Sequence, residues 1–151
     1  MPITSHKAFS LIEVLIFVTI LSVFLITAAA IITVSMRQNT LRINMLKATH
    51  YNEQLLEWLR GEKDISWTDF AASGANNIVC FNTDTYAWNG VVSSKNDCPT
   101  TLGGIYRRYA EFKTTPNPQA PTQVETLLYT EWQESGNTFV TKLHSLFTLW
   151  E

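Results

Sequence analysis

Two cysteines and one isolated carboxylate are the side chains whose types and positions could do chemistry. Cys80 and Cys98 are the only cysteines, and both lie in a polar, turn-rich stretch. In an oxidising compartment they would form a disulfide, which closes a loop of about 18 residues and stabilises by roughly 3 kcal/mol. Two free thiols or metal ligation are the alternatives. We expect no metal, because no second Cys or His pair stands at ligand spacing.

Glu13 is the single charged residue within residues 9–36, a segment that lacks Gly and Pro. As a helix rising about 1.5 Å per residue, the segment would extend about 42 Å, against roughly 30 Å of bilayer hydrocarbon. A carboxylate in a spanning helix costs about 2.5 kcal/mol or more, and it is usually buried against a partner. We therefore expect residues 9–36 to form a transmembrane helix in which Glu13 is buried against a partner.

The residues before and around Glu13, HKAFSLIEVL, resemble the class III signal of type IV prepilins and pseudopilins. The resemblance covers about ten residues. It implies that a prepilin peptidase removes the leader, residues 1–8, by cutting between Ala8 and Phe9. It also implies methylation of the new Phe9 amine. Glu13, the fifth mature residue, would pair with such an amine, on a neighbouring subunit or its own chain, and so set the register of assembly.

The same resemblance implies a structural protein, a minor pilin or pseudopilin of a type IV pilus-like filament. It would assemble with other pilin or pseudopilin subunits through its N-terminal helix. Two features depart from the commoner pattern: Ala8 stands where Gly is usual, and the Pro of many major pilins is absent from the helix. A pseudopilin of a type II protein secretion or competence (DNA uptake) machine carries the same signal. An unprocessed, signal-anchored extracytoplasmic binding protein is a further alternative.

The flanking charges conflict with the orientation that the resemblance implies. Lys7 precedes the apolar segment, whereas Arg37, Arg42 and Lys47 follow it, so the positive-inside rule alone favours a cytoplasmic C-terminal side. The prepilin-like signal and the two cysteines favour the opposite. We expect a single pass through the cytoplasmic membrane with the C-terminal domain outside, followed by incorporation into a cell-surface or periplasmic filament.

The sequence offers no catalytic motif, so we expect neither an enzyme nor a cofactor. The three histidines, His6, His50 and His144, are far apart, and no P-loop, G-x-S-x-G, H-E-x-x-H or dinucleotide fingerprint is present. The five tryptophans are expected to pack in the core, although Trp88 or Trp150 could instead lie exposed and contact a neighbouring subunit or a substrate.

The charge of the chain gives no reason to propose a nucleic-acid partner, since the formal net charge is −2. Arg107 and Arg108, beside Tyr106 and Tyr109, form a small basic and aromatic cluster that could touch DNA in a competence filament. Alternation along a strand places the two arginines on opposite faces, so we do not expect them to form one patch.

Residues 37–61 predict an amphipathic continuation of the helix, with Asn52 filling a gap in its apolar stripe and Gly61 ending it after Arg60. The stripe consists of Leu41, Met45, Ala48, Leu55 and Leu59.

Residues 62–151 predict one small globular domain. A short helix should begin after Ser66, which acts as N-cap with Asp69 three residues later, and end at Gly74. Turn signals occur at Asn89-Gly90 and around Gly136. Strands are expected over residues 77–81, 85–88, 105–113, 124–134 and 138–150. A long helix packed across a small antiparallel sheet is the α+β arrangement for this pattern, and the resemblance implies the same pilin-like fold.

Overall fold

A computed structural model describes residues 10–75, 77–83, 85–115 and 121–149. The chain divides into two compact units, Met1–Arg42 and Ile43–Glu151. Its elements are α1 (Leu11–Ile65), α2 (Trp67–Gly74), β1 (Ile78–Cys80), β2 (Val91–Val92), a 3₁₀ helix (Lys95–Asp97), β3 (Tyr106–Thr115), β4 (Gln123–Glu134) and β5 (Asn137–Thr148). One long N-terminal helix and a five-stranded antiparallel sheet make an α+β layout, as predicted.

The strands of the sheet follow the order β2-β1-β3-β4-β5. β4 and β5 form the predicted hairpin, in which Glu134 pairs with Asn137 across a two-residue turn. Ser135 and Gly136 both have positive φ, 52° and 79°. Positive φ at both turn positions suits the right-handed twist of the flanking strands, so this turn fixes the register of the hairpin.

The predicted apolar stripe is only partly buried, and Leu41, its first residue, is half-buried. Ala48, Asn52, Leu55 and Leu59 are buried, as expected for the apolar stripe. Met45 is 57% exposed, so its predicted place in the stripe is wrong. Helical periodicity identifies the apolar side of a helix, but it does not show how far along the helix the covering sheet extends.

The predicted end of α1 at Gly61 is also wrong, because the helix continues to Ile65. Gly61 keeps a helical backbone and does not adopt the left-handed conformation of a helix-ending glycine. The last turn is held by contacts distant in sequence: Trp88 Nε1 donates to Glu62 Oε2 at 2.9 Å. The chain leaves the helix at Ser66, whose backbone is extended with φ −157°.

The short helix α2 begins as the sequence predicts. The backbone N–H of Asp69 donates to Ser66 Oγ at 3.3 Å, which confirms Ser66 as the N-cap. Phe70 and Ala71 are buried, and α2 ends at Gly74. A Cβ at Gly74 would lie 2.8 Å from the Phe112 ring, so the close approach of α2 to β3 also favours glycine there.

The strand predicted over residues 85–88 does not form. Among the described residues of this stretch, Tyr86 and Trp88 place their rings against Trp58 instead, with centroids 5.3 Å away in both cases. Trp88 also contacts Phe70, so the alternative in which it lies exposed is wrong. Trp150, the other candidate, lies outside the described residues.

Candidate functional site: the apolar half of α1

The apolar half of α1, defined as residues 11–36, exposes its large side chains. Their exposed fractions range from 43% at Leu21 to 83% at Leu11. An 18-residue window of the helix has a mean hydropathy of 2.8, and none of it is buried. Length and composition therefore allow α1 to cross a membrane. A continuous apolar surface of this extent is characteristic of contact with lipid or with other proteins.

Four of the five hydroxyl side chains of this half find an acceptor within the helix itself. Four of them donate to backbone carbonyls three or four residues earlier, at 2.7–2.9 Å: Thr19, Ser22, Thr27 and Thr33. A hydroxyl that has no partner in an apolar environment carries a desolvation cost of a few kcal/mol. These internal bonds remove that cost, so these four residues are compatible with an apolar surrounding.

Glu13 lies in the first turn of α1, where its side chain is exposed. Its backbone N–H donates to the Ser10 carbonyl at 3.0 Å, which closes the start of the helix. The positive end of the helix dipole favours a carboxylate at this place. Within the described part of the chain, no basic side chain forms an ion pair with Glu13. Its exposed carboxylate can therefore accept hydrogen bonds from a cation placed beside it.

The predicted cleavage and methylation positions, Ala8 and Phe9, lie outside the described residues. The described helix begins at Leu11, and Glu13 is two residues further along. The processing of the chain and the register role of Glu13 thus remain predictions.

In the second unit, Asn52 connects the buried face of α1 to the sheet. It is fully buried, and its amide uses both ends: Nδ2 donates to the Thr141 carbonyl at 3.1 Å, and Oδ1 accepts from Thr130 Oγ1 at 2.7 Å. The sequence signal was a polar residue within an apolar stripe, but its two partners, 78 and 89 residues away, could not be inferred.

Arg108, a buried residue of β3, binds the loop that follows β1, a role that the sequence did not indicate. Only 1% of the residue is exposed, and its guanidinium donates to the carbonyls of Phe81 at 2.8 Å, Tyr51 at 3.1 Å and Thr83 at 3.2 Å. The guanidinium also lies 4.8 Å from the centre of the Tyr86 ring. Arg108 therefore holds the loop against α1.

Arg107 lies on the opposite face of β3, as strand alternation predicts. Its Nη1 is 4.0 Å from Glu131 Oε2, and Lys95 Nζ is 3.6 Å from Glu131 Oε1. Since Arg108 is buried, the two arginines do not share a basic patch. Tyr109, on the same face as Arg107, donates to Glu131 Oε1 at 2.8 Å. Burial, followed by this hydrogen bond, raises the pKa of Tyr109 well above its usual range.

The predicted disulfide joins Cys80 and Cys98, whose Cα atoms are 5.6 Å apart. Cys80 is the last residue of β1, and Cys98 follows the 3₁₀ helix, which is capped by Ser94. Cys98 is 2% exposed. The bond fixes the polar loop to the sheet, so free thiols and metal ligation are not the state of these cysteines here.

The remaining candidates for chemistry are dispersed. His50 and His144 are exposed and contact Gln54 and Glu125, at 3.1 and 3.0 Å, and His6 lies outside the described residues. The described residues include no group of three or more His, Cys, Asp or Glu side chains that could hold a metal. A cavity of about 550 Å³ is lined by Tyr86 together with Glu53 and Glu57, which are one helical turn apart.

Comparison with protein-family models, with curated proteins and with solved structures finds no match to this chain.

Proposed function

We propose that this chain is a structural subunit, a minor pilin or pseudopilin, of a type IV pilus-like filament. The observation that carries the proposal is the coincidence of the Ala8, Phe9 and Glu13 motif with a helix whose large apolar side chains are exposed throughout residues 11–36. A soluble domain would bury such a surface, whereas an assembling helix keeps it for lipid first and for neighbouring helices afterwards.

Before assembly, the proposed subunit is held in the cytoplasmic membrane by residues 9–36, with its second unit outside. The Cys80–Cys98 disulfide supports this orientation, because disulfides persist in oxidising compartments and are rare in the cytosol. A reporter that is active only in the cytoplasm, fused after Glu151, should be inactive. High activity would overturn the orientation and support the positive-inside count instead.

In the proposed filament, Glu13 sets the register between helices. An ammonium on the methylated Phe9 and a carboxylate on Glu13 would each lack water at the same depth, and pairing removes much of both penalties. Pairing constrains the relative position of two helices even where its net stabilisation is small. The apolar side chains supply the contact area.

The absence of Pro from residues 9–36 favours a minor pilin or pseudopilin over a major pilin. Whether the filament serves a pilus, a type II secretion machine or a competence machine depends on its neighbours, since all three use the same signal.

Intact-mass and N-terminal analysis of the chain, expressed with and without a prepilin peptidase, tests the proposal directly. With the peptidase we expect a chain that starts at Phe9, with or without one added methyl. Without it, Met1 to Ala8 should remain. A chain that keeps its leader in the presence of an active cognate peptidase would overturn the filament assignment and favour a signal-anchored binding protein.

A further inference from the structure

The last strand of the sheet, β5, has one free edge in the part of the chain that the structure describes. β5 pairs with β4 over its whole length, and it stands at the end of the strand order. It runs for 12 residues without Pro. At the other end of the sheet, β2 has only two residues. A long, regular edge presents unpaired N–H and C=O groups, which are a template for another extended chain.

The hairpin geometry shows which backbone groups face the free edge. In a two-residue hairpin the residues that flank the turn exchange hydrogen bonds, and every second pair does the same. Glu134 and Asn137 flank the turn. At the far end of the hairpin, Leu149 N donates to the Thr122 carbonyl at 3.1 Å, so odd-numbered residues bond towards β4 at both ends. The groups that point away from β4 therefore belong to Thr138, Val140, Lys142, His144, Leu146 and Thr148.

The side chains of these residues define the chemistry of a matching strand. Val140 and Leu146 are 50% and 49% exposed. His144 is already bonded to Glu125 at 3.0 Å. Lys142 is exposed at the middle of the strand, and no carboxylate among the described residues forms an ion pair with it. A complementary strand would place an acidic residue opposite Lys142 and apolar residues opposite Val140 and Leu146.

A second copy of this chain does not satisfy that requirement. Antiparallel pairing of β5 with itself must join the even-numbered residues to one another. In the three registers that pair the most even-numbered residues of the two strands, Lys142 would face Lys142, His144 or Leu146 of the copy. None of these supplies a carboxylate, so Lys142 disfavours self-pairing and favours an acidic partner.

We propose that the free edge of β5 binds an extended segment of another protein by strand addition, with a carboxylate of that segment opposite Lys142. The backbone hydrogen bonds supply affinity, and Lys142 selects the sequence and register. This inference goes beyond the filament assignment and does not depend on it.

Amide hydrogen exchange measured by NMR on the full chain in detergent micelles tests the proposal. The probe is a peptide of alternating Val and Thr that carries one Glu placed to face Lys142. Its control is the same peptide with Lys in place of Glu. We expect the Glu peptide to slow exchange roughly tenfold or more at Val140, Lys142, His144 and Leu146. The amides of Thr141 and Leu143, already paired with β4, should change little.

Two pairs of variants make the result specific. Val140→Pro removes an N–H that faces the free edge but leaves every hydrogen bond to β4 in place, so the variant should fold and lose peptide binding. Val140→Thr, its control, should keep peptide binding. Lys142→Glu should reverse the preference and bind the Lys peptide. Failure of both peptides to protect these amides would overturn the proposal. If the same amides are protected without peptide, and more so at higher protein concentration, the edge pairs with a second copy of this chain and the proposal is overturned.

Discussion

The two halves of α1 contrast in where their side chains find partners. Between residues 11 and 36 the large apolar side chains are exposed, whereas Ala48, Asn52, Leu55 and Leu59 are buried against the sheet. Both halves are helical without an interruption. The same secondary structure thus occurs with two kinds of surface: the second half packs on its own domain, and the first leaves its large apolar side chains exposed.

The largest effect that would sharpen this contrast is expected at Glu13. We expect Glu13→Val to leave membrane insertion intact, since it removes a costly charge. It should reduce incorporation into sheared filaments about tenfold or more, because the proposed register-setting pair with the Phe9 amine would be lost. Immunoblots of membrane and sheared fractions measure both. Glu53→Val, the same change at an exposed position of the second half, is the control. Wild-type amounts of the Glu13 variant in filaments would contradict the assembly role.

A second test compares leucine truncations in the two units. Leu128 is fully buried on β4, so Leu128→Ala should destabilise the domain by about 2–5 kcal/mol. Leu25 is 58% exposed in the apolar half, so Leu25→Ala should leave the free energy of unfolding of the domain unchanged. Denaturant unfolding of the full chain in micelles, followed by tryptophan fluorescence, measures both. Equal losses would show that the apolar half is not energetically separate from the domain.

The sequence predicted the parts of the fold that depend on local pattern. Periodicity predicted α1 and the buried positions Ala48, Leu55 and Leu59, and capping chemistry predicted Ser66 at the start of α2. The β4–β5 hairpin followed from alternation around a turn that contains Gly136. Each of these features is decided by residues within a few positions of one another.

The errors arose where distant contacts outweighed local preference. Gly61 is a good helix terminator in isolation, yet the bond from Trp88 to Glu62 holds a further turn. Residues 85–88 have strand-like composition, but the rings of Tyr86 and Trp88 pack on Trp58. For the candidate site, the motif around Glu13 could be read directly, because it requires no tertiary contact within the chain.

The disulfide offers a third way to separate the two regions. The Cys80→Ser, Cys98→Ser double variant should lose about 3 kcal/mol of domain stability. The bond joins residues that are 18 positions apart, and without it the unfolded chain gains conformational freedom. Insertion of the apolar half should not change. Unfolding of the variant and of the oxidised parent, compared in the same micelles, measures the loss. A variant as stable as its parent would show that the loop is held by its other contacts.

A smaller effect is expected at Asn52, the polar position of the buried stripe. Asn52→Ala leaves the hydroxyl of Thr130 without its acceptor and should cost about 1–3 kcal/mol. Asn39→Ala is the matched control, since Asn39 lies on the same helix but is exposed. The midpoint of chemical unfolding should decrease only for the Asn52 variant. Equal midpoints would mean that water replaces the amide at no cost.

The smallest effect is an alkaline loss of stability confined to the second unit, which contains all five tyrosines. Burial and the hydrogen bond to Glu131 raise the pKa of Tyr109, and burial also raises those of Tyr106 and Tyr129. A raised pKa stabilises the fold below the unfolded value of about 10. This stabilisation decreases as the pH rises further, by at most about 1.4 kcal/mol per pH unit for each group, because the unfolded chain releases its proton first.

Tyr109→Phe should therefore make the decline above pH 10 shallower, as measured by unfolding at a series of pH values. An unchanged slope would show that Tyr109 ionises as readily in the folded chain as in the unfolded one.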